Sequence, residues 1–334
     1  MVEGVAASHL GMQPVGETSR VAEGVYQLKL PVPLPLRFVS AYLIEGDDGW
    51  TLVDTGFDYP DTYEVWDREA AAIGCDLDRD VARIVVTHFH PDHLGGARWL
   101  QERSGAPVYM LEAEISQSRE IWGGEHTTAP FVDHMVLHGM DRPTAETAAE
   151  KMRAGLPLPE QMLPLHAGEK LDLGGSSARI IHAPGHADNQ LMLHDERRRI
   201  LYAADHILLK ITPNIGLWPE SRPHPLSVYL ESLESLRGLE AELILPGHGP
   251  VFHDLDGRVE ELALHHEERL NTMLATLAEG PKTSFDVSRL VFRGALTLYQ
   301  RCFALTETLA HLDLLALQGR AEPVENGSVA YRPL

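Results

Sequence analysis

Short apolar runs alternate along the chain with amphipathic stretches, and the spacing sorts them into strands and helices. Val25-Tyr26-Gln27-Leu28-Lys29-Leu30 alternates with period two and predicts a first strand. The Pro-rich stretch from Pro31 to Pro35 predicts an extended loop. Ala41-Tyr42-Leu43-Ile44 and Trp50-Thr51-Leu52-Val53 predict two further strands, joined by a turn at Gly46-Asp47-Asp48-Gly49. Thr62 to Ile73 predicts a helix that Gly74 stops. The β-branched run Val81 to Val86 predicts a buried strand, Leu94 to Gln101 a helix, and Val108-Tyr109-Met110 a short strand.

Residues 111–166 break this rhythm. They carry helical spacing and apolar residues such as Trp122 and Met135, with no strand signal. They predict a helical insert, which either covers a site mouth or serves as a purely structural cover. Strands resume at Glu169 to Leu173, Ala178 to His182, Asn189 to His194 and Arg199 to Ala203. A helix from Leu226 to Leu236 then leads to a strand at Leu243-Ile244-Leu245. No period of repeats is present.

The pattern changes after Pro250. Val259, Leu262, His266, Leu270, Met273 and Leu277 share one face of a long helix that Gly280-Pro281 ends. A short helix from Phe285 to Phe292 follows, then one with Cys302, Leu305, Leu309, Leu312 and Leu315 on one face and Gly319 as its cap. Asn326-Gly327 signals a hairpin. Helix, helix, helix, hairpin predicts a small winged-helix-like domain over 255–334. It follows a larger α/β domain over 21–254 and a loose N-terminal arm over 1–20. His266 falls on the apolar stripe, which suits a core histidine at the domain interface better than a ligand.

Composition narrows the class. The chain has 334 residues, of which 44% are hydrophobic and 23% charged, as in a globular protein of one large or two unequal domains. No apolar run is long enough to span a bilayer, and the polar N-terminus lacks the form of a signal peptide. The expectation is a cytoplasmic protein with no membrane partner. The two cysteines, Cys75 and Cys302, lie far apart and do not suggest a disulfide scaffold. A net charge of −21 repels polyanions and makes nucleic acid a disfavoured partner. Residues 281–334 hold six basic and five acidic side chains, a net of +1, without a clustered basic face. That domain is expected to pack or dimerise, which leaves a homodimer open.

The chemistry concentrates in Thr87-His88-Phe89-His90-Pro91-Asp92-His93-Leu94-Gly95-Gly96, between a buried strand and a helix, where open α/β sheets place their sites. His88 and His90 are two apart, so an extended backbone aims both the same way. Pro91 then turns the chain and presents Asp92 and His93. Imidazole and carboxylate without a nearby thiol suit zinc, manganese or iron. Three more strand ends carry donors beside small or turn residues: His186 after Ala183-Pro184-Gly185, Asp205 after Ala203-Ala204, and His248 after Leu245-Pro246-Gly247. Asp54 ends an earlier strand.

The motif His88-x-His90-x-Asp92-His93 resembles that of the metallo-β-lactamase superfamily, and the order and contexts from Asp54 to His248 match its pattern. The resemblance implies an αββα sandwich and two divalent transition metals, with zinc favoured over manganese or iron. His88, His90 and His186 would hold one metal and Asp92, His93 and His248 the other, with Asp205 bridging. Asp54 would orient a ligand histidine from behind, and His206 would pack or support rather than ligate. The implied chemistry is a metal-bridging hydroxide attacking a carbonyl or phosphoryl centre, with Asp92 orienting it and carrying a proton.

With its C-terminal part, the chain looks like superfamily hydrolases that include acyl-thioester hydrolases and an endoribonuclease. The core alone also looks like hydroxyacylglutathione hydrolases and acyl-homoserine lactonases. The expectation is a hydrolase of an ester-type bond, a thioester or lactone, in a small acyl substrate. The rivals are an endoribonuclease or phosphodiesterase of the same fold and a non-catalytic binding protein. Trp122, His134, Met135, His138, Ile215, Trp218 and Tyr229 are candidates for the substrate wall.

Overall fold

A computed structural model describes residues 15–33, 37–123, 128–325 and 327–334. Most of the expected N-terminal arm, the end of the Pro-rich loop and Asn326 of the hairpin turn lie outside the described residues. The first sheet has seven strands in chain order: β1 (Thr18–Ala22), β2 (Val25–Pro31), β3 (Phe38–Gly46), β4 (Gly49–Val53), β5 (Val81–Val85), β6 (Val108–Leu111) and β7 (Met162–Leu165). The second has five: β8 (Lys170–Asp172), β9 (Ser177–His182), β10 (Leu191–Asp195), β11 (Ile200–Ala204) and β12 (Leu243–Pro246). Strands β4 to β7 run parallel, as do β11 and β12.

Side-chain alternation sorts the apolar residues into layers. Tyr42 and Ile44 of β3 face Leu191 and Leu193 of β10 in a core between the sheets. Val39, Ala41 and Leu43 face the other way, onto helices α1 (Pro60–Ala72) and α3 (Ala97–Ser104), which α2 (Pro91–Leu94) precedes. Met192, Leu201 and Ala203 of the second sheet pack outward against α7 (Pro225–Glu234) and α8 (Leu255–Thr276). The result is the αββα order expected from the sequence.

The C-terminal part follows with β13 (Lys282–Thr283), α9 (Ser284–Val291), α10 (Leu298–Leu317), β14 (Ala321–Glu325) and β15 (Val329–Pro333). The predicted order of three helices and a hairpin is observed, with β13 added to the hairpin's free edge. Capping boxes at Thr283 and Thr297 start α9 and α10. Helix α10 does not stand apart, because its residues from Cys302 to Leu315 are mostly buried. His266 pairs with His311 of that helix, Nδ1 to Nε2 at 3.1 Å, and both are buried core histidines at this junction.

Three expectations change. The chain joins the sheet at Thr18, as an edge strand whose side chains stay partly exposed and carry little apolar signal. The helix expected over Leu94 to Gln101 is two helices broken at Gly95-Gly96. A Cβ on Gly95 or Gly96 would sit about 2.5 Å from backbone atoms of Asp58 or Thr55, so this close approach requires glycine. The insert contains α4 (Glu112–Trp122), α5 (Ala129–Leu137) and α6 (Arg142–Met152), but it ends in a strand, β7, on the edge of the first sheet. Pro164 within β7 suits an edge position and hides the strand signal.

Trp66 of α1 is fully buried and donates its indole N–H to Thr55 O at 2.9 Å, which fixes the turn behind the metal motif. Trp66→Ala should lower the unfolding free energy by about 3–5 kcal/mol. Trp66→Phe should lose less, since it keeps the packing and drops one hydrogen bond. Denaturant titration of the three proteins checks this, and coincident midpoints would refute it.

Candidate metal centre

The expected donors meet at one edge of the sandwich. His88, His90, Asp92 and His93 follow β5, His186 follows β9, Asp205 follows β11 and His248 follows β12. Three groups have their donor atoms within 4.8 Å of one another: His88, His90 and His186; His88, His93 and Asp205; and Asp92, His93 and His248. Asp205 Oδ2 lies 3.4 Å from His186 Nε2 and 3.2 Å from His248 Nε2, between the first group and the last. Asp92 Oδ2 is 3.2 Å from His248 Nε2.

Hydrogen bonds on the outer side of each ring fix which nitrogen points inward. A carbonyl can only accept, so His186 Nδ1 donates to Asn214 O at 3.0 Å and His248 Nδ1 donates to Phe38 O at 2.9 Å. Asp54 accepts from Thr87 N–H, Thr87 O–H and His93 Nδ1 at 2.8–2.9 Å. With its proton given to Asp54, Thr87 Oγ1 accepts from His88 Nδ1 at 2.9 Å. His88, His93, His186 and His248 therefore turn Nε2 inward. His90 alone turns Nδ1 inward, 2.9 Å from His186 Nε2.

The inward atoms fit a metal. His88 Nε2, His93 Nε2, His248 Nε2 and Asp205 Oδ1 are buried and have no hydrogen-bond partner among the described residues. Such orphans are expensive unless a cation fills their lone pairs. Burial and the neighbouring rings hold His88 well below the ordinary histidine pKa and push His90 down to about 3, so both present neutral lone pairs. Burial also disfavours a charged ring at His93 and His248. There the carboxylates outweigh it, Asp54 foremost for His93 and Asp205 for His248, and hold both pKa values well up. Carboxylates that favour a proton on those rings favour a divalent cation in its place.

Local backbone shape serves the same end. Asp54 (φ 63°) and Ala204, the residue before Asp205 (φ 47°), sit in the left-handed region, where non-glycine residues are strained. A Cβ on Gly247 would come within 2.1 Å of Asp205 Oδ1, so only glycine leaves room for that carboxylate. His88, His93, Asp205 and His248 lie deep, while His90, Asp92 and His186 keep some exposure and mark the open side.

The wall candidates divide. Met135, Ile215 and Tyr229 are fully buried: Met135 packs with Phe131, Cys302 and Leu305, and the other two sit in the core behind the second sheet. They have no surface for a substrate and act as core. Tyr229 also donates its hydroxyl to His206 O, and Ser232 Oγ meets His206 Nε2 at 3.2 Å, so His206 lies behind the site as a packing residue. Trp122 is nearly buried and donates its indole N–H to Phe89 O, which binds the insert to the metal motif. Trp218 remains partly exposed, stacked on Phe131 and edge-on to Phe303. His134 bonds Leu217 O at 3.0 Å, while His138 is buried at the end of α5.

Two supporting residues escaped the sequence reading. Glu114 of α4 is fully buried and accepts from Phe89 N–H, between the first two histidines, at 2.7 Å. Burial pushes its pKa up to about 8. Asn214 acts through its backbone carbonyl. The only hint in the sequence was an acid on an apolar helix face, at Glu114.

A two-sheet αββα sandwich with His and Asp donors at one edge defines a metal-dependent hydrolase class. A family model described as the metallo-beta-lactamase superfamily matches residues 34–248, and the chain belongs to that superfamily. A second, described as the metallo-beta-lactamase-like C-terminal domain, matches residues 270–333. The chain is 34% identical to a metallo-beta-lactamase family protein from Thermus thermophilus, with a TM-score of 0.85 over 94% of this chain and 100% of that one. A beta-lactamase domain protein from Burkholderia ambifaria is 29% identical, with a TM-score of 0.85 over 97% of this chain and 96% of its own. A Bacillus subtilis protein named as a probable metallo-hydrolase is 24% identical over 316 residues, 92% of this chain and 97% of its own. The chain is a metallo-hydrolase of this superfamily. Among the described residues, no helix is long and apolar enough to cross a membrane.

Asp54→Asn replaces one carboxylate oxygen with an NH2 group, so the side chain can no longer accept from both Thr87 N–H and His93 Nδ1. Metal affinity should fall about 10–100-fold, the usual effect of losing a group that orients a ligand. Competition against a chelating dye measures this, and an unchanged affinity would remove Asp54 from that role.

Proposed function

We propose that this chain hydrolyses an ester-type bond, a thioester or lactone, in a small acyl substrate, with two divalent metals, zinc favoured, held by the seven donors. The observation that carries the reading is the convergence of the donors with His90, Asp92 and His186 partly exposed; Trp218, which follows shortly after the Asn214 that bonds His186 and stands edge-on to Phe303, is the candidate for the acyl wall. Bound metals supply a Lewis acid for the carbonyl oxygen and a water of lowered pKa. The chain's own contribution is placement. His186 and His248 are locked by backbone carbonyls and His93 by Asp54, so little reorganisation is needed during reaction. Asp92, whose Oδ2 faces His248, accepts the proton of the attacking water on its other oxygen and returns it to the departing thiolate or alkoxide. One water is consumed, the acyl–S or acyl–O bond breaks, and a carboxylic acid and a thiol or alcohol result. Trp218 and Phe303 orient the acyl group.

The rival reading, a ribonuclease or phosphodiesterase, needs a positive track. The net charge of −21 opposes it. Helix α10, which would have to enter a groove, is mostly buried.

Assay of metal-replete protein on acyl thioesters, lactones and single-stranded RNA should give acyl hydrolysis and no RNA cleavage. Elemental analysis should find close to two transition metals per chain. RNA cleavage without acyl hydrolysis would reverse the assignment. Trp218→Ala should change the ratio of kcat/KM between long and short acyl chains by about 1–3 kcal/mol, with metal content unchanged. An equal loss on every substrate, with a lower Tm, would mark Trp218 as core.

A further inference from the structure

The connection from Asp205 to His224 contains no helix or strand, yet its Asn214 carbonyl holds His186. A segment this long inside a compact domain needs external anchors. Some of its hydrogen-bonded anchors lie in the turn between β9 and β10 and in α7, at Asp188, Asn189, Tyr229 and Ser232, and others in α8, the insert and α10. Arg258 of α8 donates to Leu208 O and Ile211 O. His134 of the insert bonds Leu217 O. Thr306 O of α10 accepts from Leu217 N–H at 3.0 Å, and a Cβ on Gly216 would meet Thr306 Oγ1 at 2.8 Å. Beside Thr306, Glu307 Oε2 accepts from Asn214 Nδ2 at 2.9 Å.

The last of these bonds acts on the same residue that holds the histidine. Asn214 is gripped by its side chain from α10 and grips His186 with its main chain. We propose that Glu307 is a positioning residue for the metal centre: through Asn214 it sets the ring orientation and tautomer of His186, so that the C-terminal domain is part of the site's frame. The inference rests on the reading of His186 as a metal ligand.

The physical consequence follows from what the bond restrains. Without Glu307, Asn214 Nδ2 turns to water and the connection gains freedom near residue 214. The Asn214 carbonyl then spends less time in line with His186 Nδ1. His88, His93 and His248 have acceptors of their own, at Thr87, Asp54 and Phe38, so the damage falls on His186 and the group it forms with His88 and His90. Glu307→Gln keeps an oxygen that can accept from Asn214.

The test uses the full chain loaded with cobalt(II), read by its d–d absorption and by competition with a chelating dye. Glu307→Ala should weaken one of the two cobalt affinities about 10–100-fold and change the absorption envelope. Glu307→Gln should restore both. Asn214→Ala, which removes the same bond from the other side while keeping the carbonyl, should reproduce the loss if Glu307→Ala folds poorly. Asp313→Asn, which breaks the exposed ion pair of α10 with His224, serves as the control and should leave both affinities unchanged. Unaltered cobalt affinity and spectrum in Glu307→Ala or Asn214→Ala would overturn the proposal. So would an equal loss in Asp313→Asn, which would mark a general softening of the domain. Failure of the wild-type chain to bind cobalt would overturn the ligand reading itself.

Discussion

Everything at this sheet edge depends on holding several carboxylates together away from bulk water. Asp54, Asp92 and Asp205 all lie within hydrogen-bond or ion-pair range of His93. Burying one unpaired carboxylate is costly, and three would not persist alone. Five imidazoles turn ring nitrogens into the same volume, and a divalent cation there would balance the carboxylates and fill the imidazole lone pairs together. Without such a cation the arrangement is a costly one. That is why so much surrounding structure serves to prevent its relaxation.

The sandwich supplies that restraint through bonds between its two sheets at the site edge. Ser40 N–H donates to Gly247 O at 2.7 Å, Tyr42 O–H to Pro246 O at 2.7 Å, and Leu191 N–H to Thr87 O at 2.9 Å. Each joins a donor-bearing turn to a strand of the opposite sheet. The Tyr42 hydroxyl is fully enclosed, and burial keeps it protonated as a donor. A rigid mount of this kind explains the strained backbone at Asp54 and Ala204, since the packing around them over-determines their shape.

Much of the site was legible because its information is local. A β-branched run followed by His88-x-His90-x-Asp92-His93 carries its own geometry, and Gly185, Ala204 and Gly247 mark the other turns. The layer order was legible only through the resemblance that this motif carries, because β3, β10 and β11 are nearly continuous buried runs with no period-two alternation to sort their faces. What was hidden depends on distant partners. Met135 looked like a wall residue because the helix that covers it, α10, lies more than a hundred residues away in the chain. Glu114 and Asn214 act on partners far away in the chain, Phe89 N–H for the one and His186 and Glu307 for the other, so no local motif announces their role. The edge strands β1 and β7 were missed because an edge tolerates polar residues and proline, and the signal of a strand comes from burying both faces.

The insert and the C-terminal domain then take on a common meaning. Helix α4 reaches the metal motif through Glu114 at Phe89 N–H and Trp122 at Phe89 O, on both sides of one residue. Helices α5 and α6 pack on α10 through Phe131, Met135, Ala145, Ala149, Cys302 and Leu305. Phe285 N–H of α9 bonds His138 O of the insert. The two additions therefore form one continuous body that runs from the first histidine pair around to the connection carrying Asn214. A bare sandwich brings the donors to one edge but leaves its turns open to solvent. Enclosing them from two sides of the sequence fixes the turns, so the insert and the C-terminal helices belong to the frame of the candidate metal centre as the sheets do.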